Sequence, residues 1–421
     1  MNDDNLLSDR EGEKRRAYWG GILTGILIAL LICSCVYLVM RVKDSKKNEE
    51  AVHVPEMSQQ DDGEEVINDV VIGKLQILLD TIEAHYLNEI HSEELVDGLY
   101  YGLLESLGDP YSVYYTQEEL EDMISQTEGI YYGIGAYIGF NTEANMCYVS
   151  KLIKNTPAAA SDLSPGDFIV KVDGTDTIGM TSSEIVKLIK GPEGTSVTIT
   201  VQREGEKNPL DITVARAKIE SPTVEYEMLE NSIGYIEITE FDDVTYAQYC
   251  EAYDTLVARG MKGLILDLRA NPGGNVSTVC QIARRLLPEG LIVYTEDKYG
   301  QRMEYRCDGT EEIQIPLAVL VDGNSASASE ILAGAIKDYG IGKLVGTTTF
   351  GKGIVQRIIS FSDGTAIKLT ISNYFTPNGN YIHGVGIEPD IPVEWDSEQY
   401  LNEGIDNQKQ AAIEYLLPLV Q

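Results

Sequence analysis

The longest apolar stretch of the chain is Ala17 to Met40, 24 residues without a charged side chain. As a helix it is long enough to cross a hydrocarbon layer of about 30 Å, which predicts one membrane span over 17–40. The run is too long for a cleaved signal peptide and lacks a small-x-small site before Arg41, while Ile32-Cys33-Ser34-Cys35 only loosely resembles a lipidation box. Arg10, Lys14, Arg15 and Arg16 balance Arg41, Lys43, Lys46 and Lys47, so flanking charge leaves the orientation open. With a short tail (1–16) before the span and all foldable sequence after it, the expectation is a signal anchor, the tail cytoplasmic and the body outside.

Residues 48–65 are polar and acidic and read as a linker. In 66–128 apolar positions recur at helical steps, Ile72, Leu75, Leu79 and Ile82, then Leu95, Leu99, Leu103 and Leu104, broken at Gly108-Asp109-Pro110. This helical region either packs on a later domain or forms a homodimer. From 129 to 218 the pattern changes to short strands around one helix at SSEIVKLIKG. Residues 219–396 alternate strand and helix: GYIEI, AQYCEAYDTLVARG, GLILDLR, VSTVCQIARRLL, PLAVLVD, SASEILAGAIKDYG and KLVGTT. That order predicts an α/β unit, followed by a hairpin turning at Asp363-Gly364 and a C-terminal helical tail over 397–421.

Composition adds exclusions. A net charge of −35 repels nucleic acid and anionic headgroups, so nucleic acid is not an expected partner. The six cysteines form no CxxC and no metal-spaced cluster with histidine, so no zinc site and no dense disulfide framework are expected. The pairing of Cys147, Cys250, Cys280 and Cys307 stays open. Of four histidines, His53, His85, His91 and His383, only the last lies near the candidate chemistry.

That chemistry sits in Val321 to Gln356. Ser325, Ser327 and Ser329 follow a buried-looking strand, and Ser327-Ala-Ser-Glu330 also fits a helix capping box. Lys352 stands between Gly351 and Gly353, where a solvated turn is the plain reading. A third element shifts the balance: DLRANPGGN, Asp267 to Asn275, is a strand running into a glycine turn of the kind that aims backbone N–H groups at an oxyanion. A Ser–Lys pair is then easier to assemble than a histidine triad.

Two family resemblances rest on these residues. AAASDLSPGDFIVKVDGTDT, with a GIG upstream and a helix downstream, resembles a PDZ domain. This implies that backbone N–H groups of Gly133, Ile134, Gly135 and Ala136 bind a peptide's terminal carboxylate while the peptide adds a strand to the sheet edge. SASASE, FGKG and NPGG, together with LGDPYSVYYTQEELEDM and FTPNGNYIHGVGIEPDIPVE, resemble the carboxyl-terminal processing proteases over about 72–394. The only departures lie at NYIHG, where that family is variable.

The second resemblance implies a ClpP- or crotonase-like α/β protease core carrying the PDZ domain. It implies Ser327 as nucleophile, Lys352 as general base, Gln356 as its orienter, and an oxyanion hole from Ala328 and Gly273 or Gly274, with no metal or organic cofactor. The expected protein is a single-pass serine endopeptidase of the cell membrane, its catalytic body extracytoplasmic, acting on proteins or peptides with free C-termini. The alternatives are a catalytically silent membrane-anchored PDZ adaptor, and a non-proteolytic hydrolase, either assisted by His383 or crotonase-like and acting on acyl-CoA.

Overall fold

The computed structural model describes residues 66–420, so the expected membrane span and the linker lie outside the described residues. Among the described residues no helix is long and apolar enough to cross a membrane. The chain divides between His91 and Ser92 into two units. The first contributes helix α1 (Asp69–His85), capped by the Asn68 side chain, with no buried residue.

In the second unit α2 (Ser92–Glu105) leads through the Asp109–Ser112 turn to β1 (Val113–Tyr115) and α3 (Gln117–Glu128). Beyond the break expected at Gly108-Asp109-Pro110, a short strand lies within the region expected to be helical, pairing antiparallel with a strand more than 250 residues later. No apolar alternation marks so short a strand, which is why periodicity read through it.

A two-stranded ribbon, β2 (Ile130–Gly133) with β9 (Ala217–Glu220), carries the chain into and out of the next module. Between them lie β3 (Ala136–Asn141), β4 (Met146–Leu152), β5 (Phe168–Val172), β6 (Thr175–Asp176), α4 (Ser182–Ile189), β7 (Ser196–Gln202) and β8 (Leu210–Ala215). Its sheet runs β3-β4-β5-β7-β8, which leaves β3 an edge strand. Alternate residues of β7, Val197, Ile199 and Val201, join Val149, Ile169 and Ile185 in a separate core, the period-2 burial expected of a sheet with one solvated face.

The remaining elements are β10 (Val224–Met228), β11 (Ile233–Ile238), α5 (Thr245–Ala258), β12 (Gly263–Asp267), α6 (Val276–Arg284), β13 (Gly290–Asp297), β14 (Arg302–Cys307), β15 (Leu317–Val321), α7 (Ala328–Tyr339), β16 (Lys343–Gly346), β17 (Ile354–Ser360), β18 (Ala366–Phe375), β19 (Ile391–Pro392), α8 (Ser397–Glu403) and α9 (Asn407–Leu416). One sheet has the order β10-β11-β12-β15-β16-β19, parallel except for β10. GLILD of β12 and LAVLV of β15 are buried at every residue, because helices cover both faces. Leu256, Ile282 and Leu332 of α5, α6 and α7 pack against one face; Ala412 and Leu416 of α9 pack against the other. A second, antiparallel sheet runs β1-β18-β13-β14 with β17 on β18. The β17–β18 hairpin turns at Asp363-Gly364, where the Asp363 carboxylate accepts from the Thr365 N–H at 3.0 Å.

Three loops leave the carboxyl ends of adjacent parallel strands: Leu268–Asn275 after β12, Asp322–Ser327 after β15 and Thr347–Gly353 after β16. Crevices at such strand ends are where α/β sheets hold their ligands. They contain the residues singled out from sequence.

Candidate active site

The three serines after β15 have different fates. Ser325 is fully buried and committed, donating to the Leu268 carbonyl at 2.8 Å and accepting from the Asp322 N–H at 2.9 Å. Ser329 is equally buried and donates to the Asn271 carbonyl at 3.0 Å. These two hydroxyls tie the serine loop to the neighbouring NPGG loop. Ser327 lies between them with φ 54° and ψ −112°, and its hydroxyl makes no capping hydrogen bond. A non-glycine residue at positive φ costs of order 1–3 kcal/mol, strain that the surrounding bonds must hold in place. In the capping box expected at Ser327 it is Glu330 that makes the full hydrogen bond, accepting from the Ser327 N–H at 2.9 Å. The hydroxyl that a cap would have consumed stays free at the positive end of α7.

Glu330 is fully buried and does more than cap. Its Oε1 accepts from the Thr349 hydroxyl at 2.6 Å and the Gly351 N–H at 2.7 Å, and its Oε2 accepts from Lys352 N–H at 2.8 Å. The carboxylate thus joins the backbone of Ser327 to that of Lys352. Sequence reading assigned Glu330 only a capping role; the one available signal was an acidic residue inside a helix otherwise apolar enough to be buried.

The glycines beside Lys352 answer to close packing rather than to solvent. A Cβ on Gly351, where φ is 87°, would lie 2.8 Å from the Gly386 nitrogen, and one on Gly353 would lie 2.8 Å from the His383 nitrogen. The loop is pressed onto the Ile382–Gly386 segment, and β17 starts only at Ile354, so Lys352 stands on the loop and Gln356 on the strand. Lys352 is half-buried, and its amine is held below the usual lysine range first by that burial, then by the nearby Lys368, against the opposing pull of Asp109 and Glu330. Gln356 donates from Nε2 to Thr370 Oγ1 at 3.2 Å, which leaves its carbonyl oxygen as the acceptor for an amine. His383 is positioned by backbone packing on Gly353, and its Nδ1 is buried without a hydrogen-bond partner among the described residues.

The NPGG turn meets the serine directly. A Cβ on Gly273, where φ is 109°, would sit 2.7 Å from Ser327 Cβ and 2.9 Å from the Ala328 nitrogen. Only glycine allows this approach. The Gly273 N–H is already given to Asn271 Oδ1 at 2.8 Å, so of the two glycine amides it is Gly274's that remains uncommitted, with Ala328's at the helix start. Gly274 is held by backbone pairing of its turn with Phe241, whose nitrogen donates to the Gly273 carbonyl at 2.9 Å. Among the described residues no cluster of His, Cys, Asp or Glu is arranged to hold a metal ion. Cys147, Cys250, Cys280 and Cys307 are free thiols.

The profile of peptidase family S41 matches residues 232–393, that of the PDZ domain 124–202, and that of the activating protease CtpB N-terminal domain 30–119. The carboxy-terminal processing protease CtpA of Bacillus subtilis (strain 168) is 36% identical over 327 residues, which covers 77% of this chain and 70% of the relative. The chain belongs to the carboxy-terminal processing proteases of family S41. A carboxy-terminal-processing protease of Bartonella bacilliformis is 37% identical over 325 residues, covering 75% of this chain and 74% of its own. The solved photosystem II D1 C-terminal processing protease is 28% identical, with a TM-score of 0.45, over 76% of this chain and 86% of its own.

This carboxy-terminal processing protease is a serine-type peptidase with a PDZ domain, and the silent-adaptor and acyl-CoA readings fall with that. The Gly133–Ala136 loop joins β2 to β3. Ile134 is buried, and Gly135 has φ 85° with a would-be Cβ only 2.4 Å from the Thr156 side chain. The carbonyls of Ile134 and Gly135 accept from Ala158 and Ile153 N–H at 2.8 and 3.0 Å. The loop, from Gly133 at the end of β2 to Ala136 at the start of β3, opens onto the sheet's free edge.

Proposed function

We propose that Ser327 is the nucleophile of this protease, Lys352 its general base, and Gln356 the residue that orients the base. One observation carries the reading: of three clustered serines only Ser327 keeps an uncommitted hydroxyl, on strained backbone at a helix mouth, with its N–H on the same carboxylate oxygen as that of Lys352. Neutral Lys352 takes the Ser327 proton as Oγ attacks the scissile carbonyl. The oxyanion lies at the Gly274 and Ala328 N–H groups. The ammonium then protonates the leaving amine, and a water deprotonated by Lys352 releases the acyl group.

The PDZ domain captures the substrate's free C-terminus through backbone N–H groups of Gly133 to Ala136 and pairing along β3, supported by that strand's position at the sheet edge. The 24-residue uncharged run before Arg41 anchors the body to the cell membrane on the extracytoplasmic side. Pairing between two copies through the helical region is supported by exposed Leu99, Tyr100 and Leu103 on α2.

Cleavage of a peptide with a free C-terminus, compared with its amidated twin, tests the reading in Ser327→Ala, Lys352→Ala and His383→Ala. Activity lost in the first two, kept in the third and weakened by amidation is the expected result. Turnover by folded Lys352→Ala, or a loss in His383→Ala equal to that in Ser327→Ala, sinks the dyad.

A further inference from the structure

The Asp109–Ser112 turn, far in sequence from Lys352 and Gln356, touches Lys352 through Tyr111 and reaches Gln356 through Thr370. The Nζ of Lys352 lies 4.5 Å from the ring centroid of Tyr111 and makes no ion pair among the described residues. The turn holds that ring through Asp109, whose Oδ1 accepts from the Tyr111 N–H at 3.0 Å and whose Oδ2 accepts from the Ser112 hydroxyl at 2.6 Å. Ser112 is buried and its oxygen in turn accepts from the Thr370 N–H at 3.0 Å. Thr370 Oγ1 is the acceptor of Gln356 Nε2. One carboxylate therefore organises two arms, one ending on the Lys352 amine and one on the Gln356 side-chain amide.

We propose that the Asp109–Ser112 turn is a positioning element for the general base, with Tyr111 as the residue that holds the Lys352 amine. The proposal rests on Lys352 being that base. A base must be held in place in both protonation states, yet a carboxylate partner would pair with the ammonium and hold its proton. An aromatic face has no lone pair to take the proton. It packs against the neutral amine and attracts the ammonium through its quadrupole, so the contact strengthens as Lys352 accepts the Ser327 proton. An interaction stronger in the transition state than in the ground state raises kcat rather than lowering KM.

The test compares Tyr111→Phe with Tyr111→Leu in the full-length protease, using a free-acid peptide and a fluorophosphonate probe. Tyr111→Leu keeps much of the bulk and loses the quadrupole. It is expected to lose roughly tenfold or more in kcat with KM little changed, while Tyr111→Phe stays within about threefold of wild type. Fluorophosphonate labelling should slow in parallel with kcat. Thr370→Val, which breaks the other arm without touching Tyr111, should lower kcat with unchanged thermal stability. Equal kcat in Tyr111→Leu and wild type, or a loss confined to KM, overturns the proposal. So does a Tyr111→Phe variant as impaired as Tyr111→Leu. Failure of the underlying base assignment is distinguished by Lys352→Ala, which would then stay active whatever stands at 111.

Discussion

The backbone N–H groups of Ser327 and Lys352 donate to the same oxygen, Oε2 of Glu330, at 2.9 and 2.8 Å. Twenty-five residues separate them in sequence, and neither loop is held in place by secondary structure. The shared acceptor fixes the spacing of the two backbones, and, with Ser327 and Lys352 as the proposed nucleophile and base, supplies the preorganisation that an acyl-transfer site needs.

Glu330→Gln follows directly. An amide would turn an NH2 group towards donors on one side of the former carboxylate, leaving the Ser327 and Lys352 N–H groups, or the Gly351 N–H and the Thr349 hydroxyl, without an acceptor. Kinetics and thermal melting should show a fall in kcat of about 10²-fold, with a stability loss of about 1–3 kcal/mol. Wild-type kcat in Glu330→Gln would show that the carboxylate does not set the spacing.

The flanking serines provide an internal control. Ser325→Ala and Ser329→Ala each remove a buried hydroxyl that bridges to the NPGG loop, so each should cost roughly 1 kcal/mol of stability yet still react with a fluorophosphonate. Ser327→Ala should keep the wild-type melting temperature or exceed it, because alanine loses no hydrogen bond there, and should not label at all.

Gly273→Ala should be as damaging as removing a catalytic group. The added methyl would contact Ser327 Cβ and the Ala326 carbonyl at 2.7 Å, on backbone with φ 109°. The expected result is a folded protein with kcat reduced by at least about 10²-fold, as a displacement near 1 Å at the reacting centre produces. Near-normal turnover would place the oxyanion elsewhere.

The pH profile has a definite sign. As the proposed general base Lys352 works unprotonated, and its amine is held below the usual lysine range, chiefly by burial. Activity should therefore rise with pH through that lowered value, the acid limb reporting Lys352. Lys368 contributes a like charge, so Lys368→Gln should move the acid limb to higher pH, and Asp109→Asn, which removes an opposing charge, should move it lower. Limbs that shift the opposite way would assign the titration to another group.

Asp242 offers a stability test near the same turn. Burial, with Glu240 and Asp243 beside it, pushes its carboxyl up to about 7 from 3.8, so the folded protein binds a proton there that the unfolded chain releases earlier. Stability from this residue is therefore lost as pH rises between those values. Melting curves should show Asp242→Asn raising the melting temperature at pH 8 and changing it little at pH 4.

The α/β alternation and the placing of the three motifs were legible because they depend on local signals: β12 and β15 read as continuous apolar runs, and SASASE, FGKG and NPGG fall at strand ends. Long-range pairing was not legible. β1 carries three residues, and its partnership with β18 follows from tertiary packing rather than from any pattern in Val113–Tyr115. Gly351 and Gly353 suggested a solvated turn because sequence cannot show the Ile382–Gly386 segment pressed against them. Glu330 suggested a cap for the same reason: its other donors, Thr349, Gly351 and Lys352, arrive from a different loop.

The most direct test is peptide mapping of a fluorophosphonate adduct in the wild-type protease and in folded Lys352→Ala. The account predicts one adduct, on Ser327, forming at least about 10²-fold more slowly without the lysine. An adduct on Ser325 or Ser329, or undiminished labelling of Ser327 in Lys352→Ala, would contradict it.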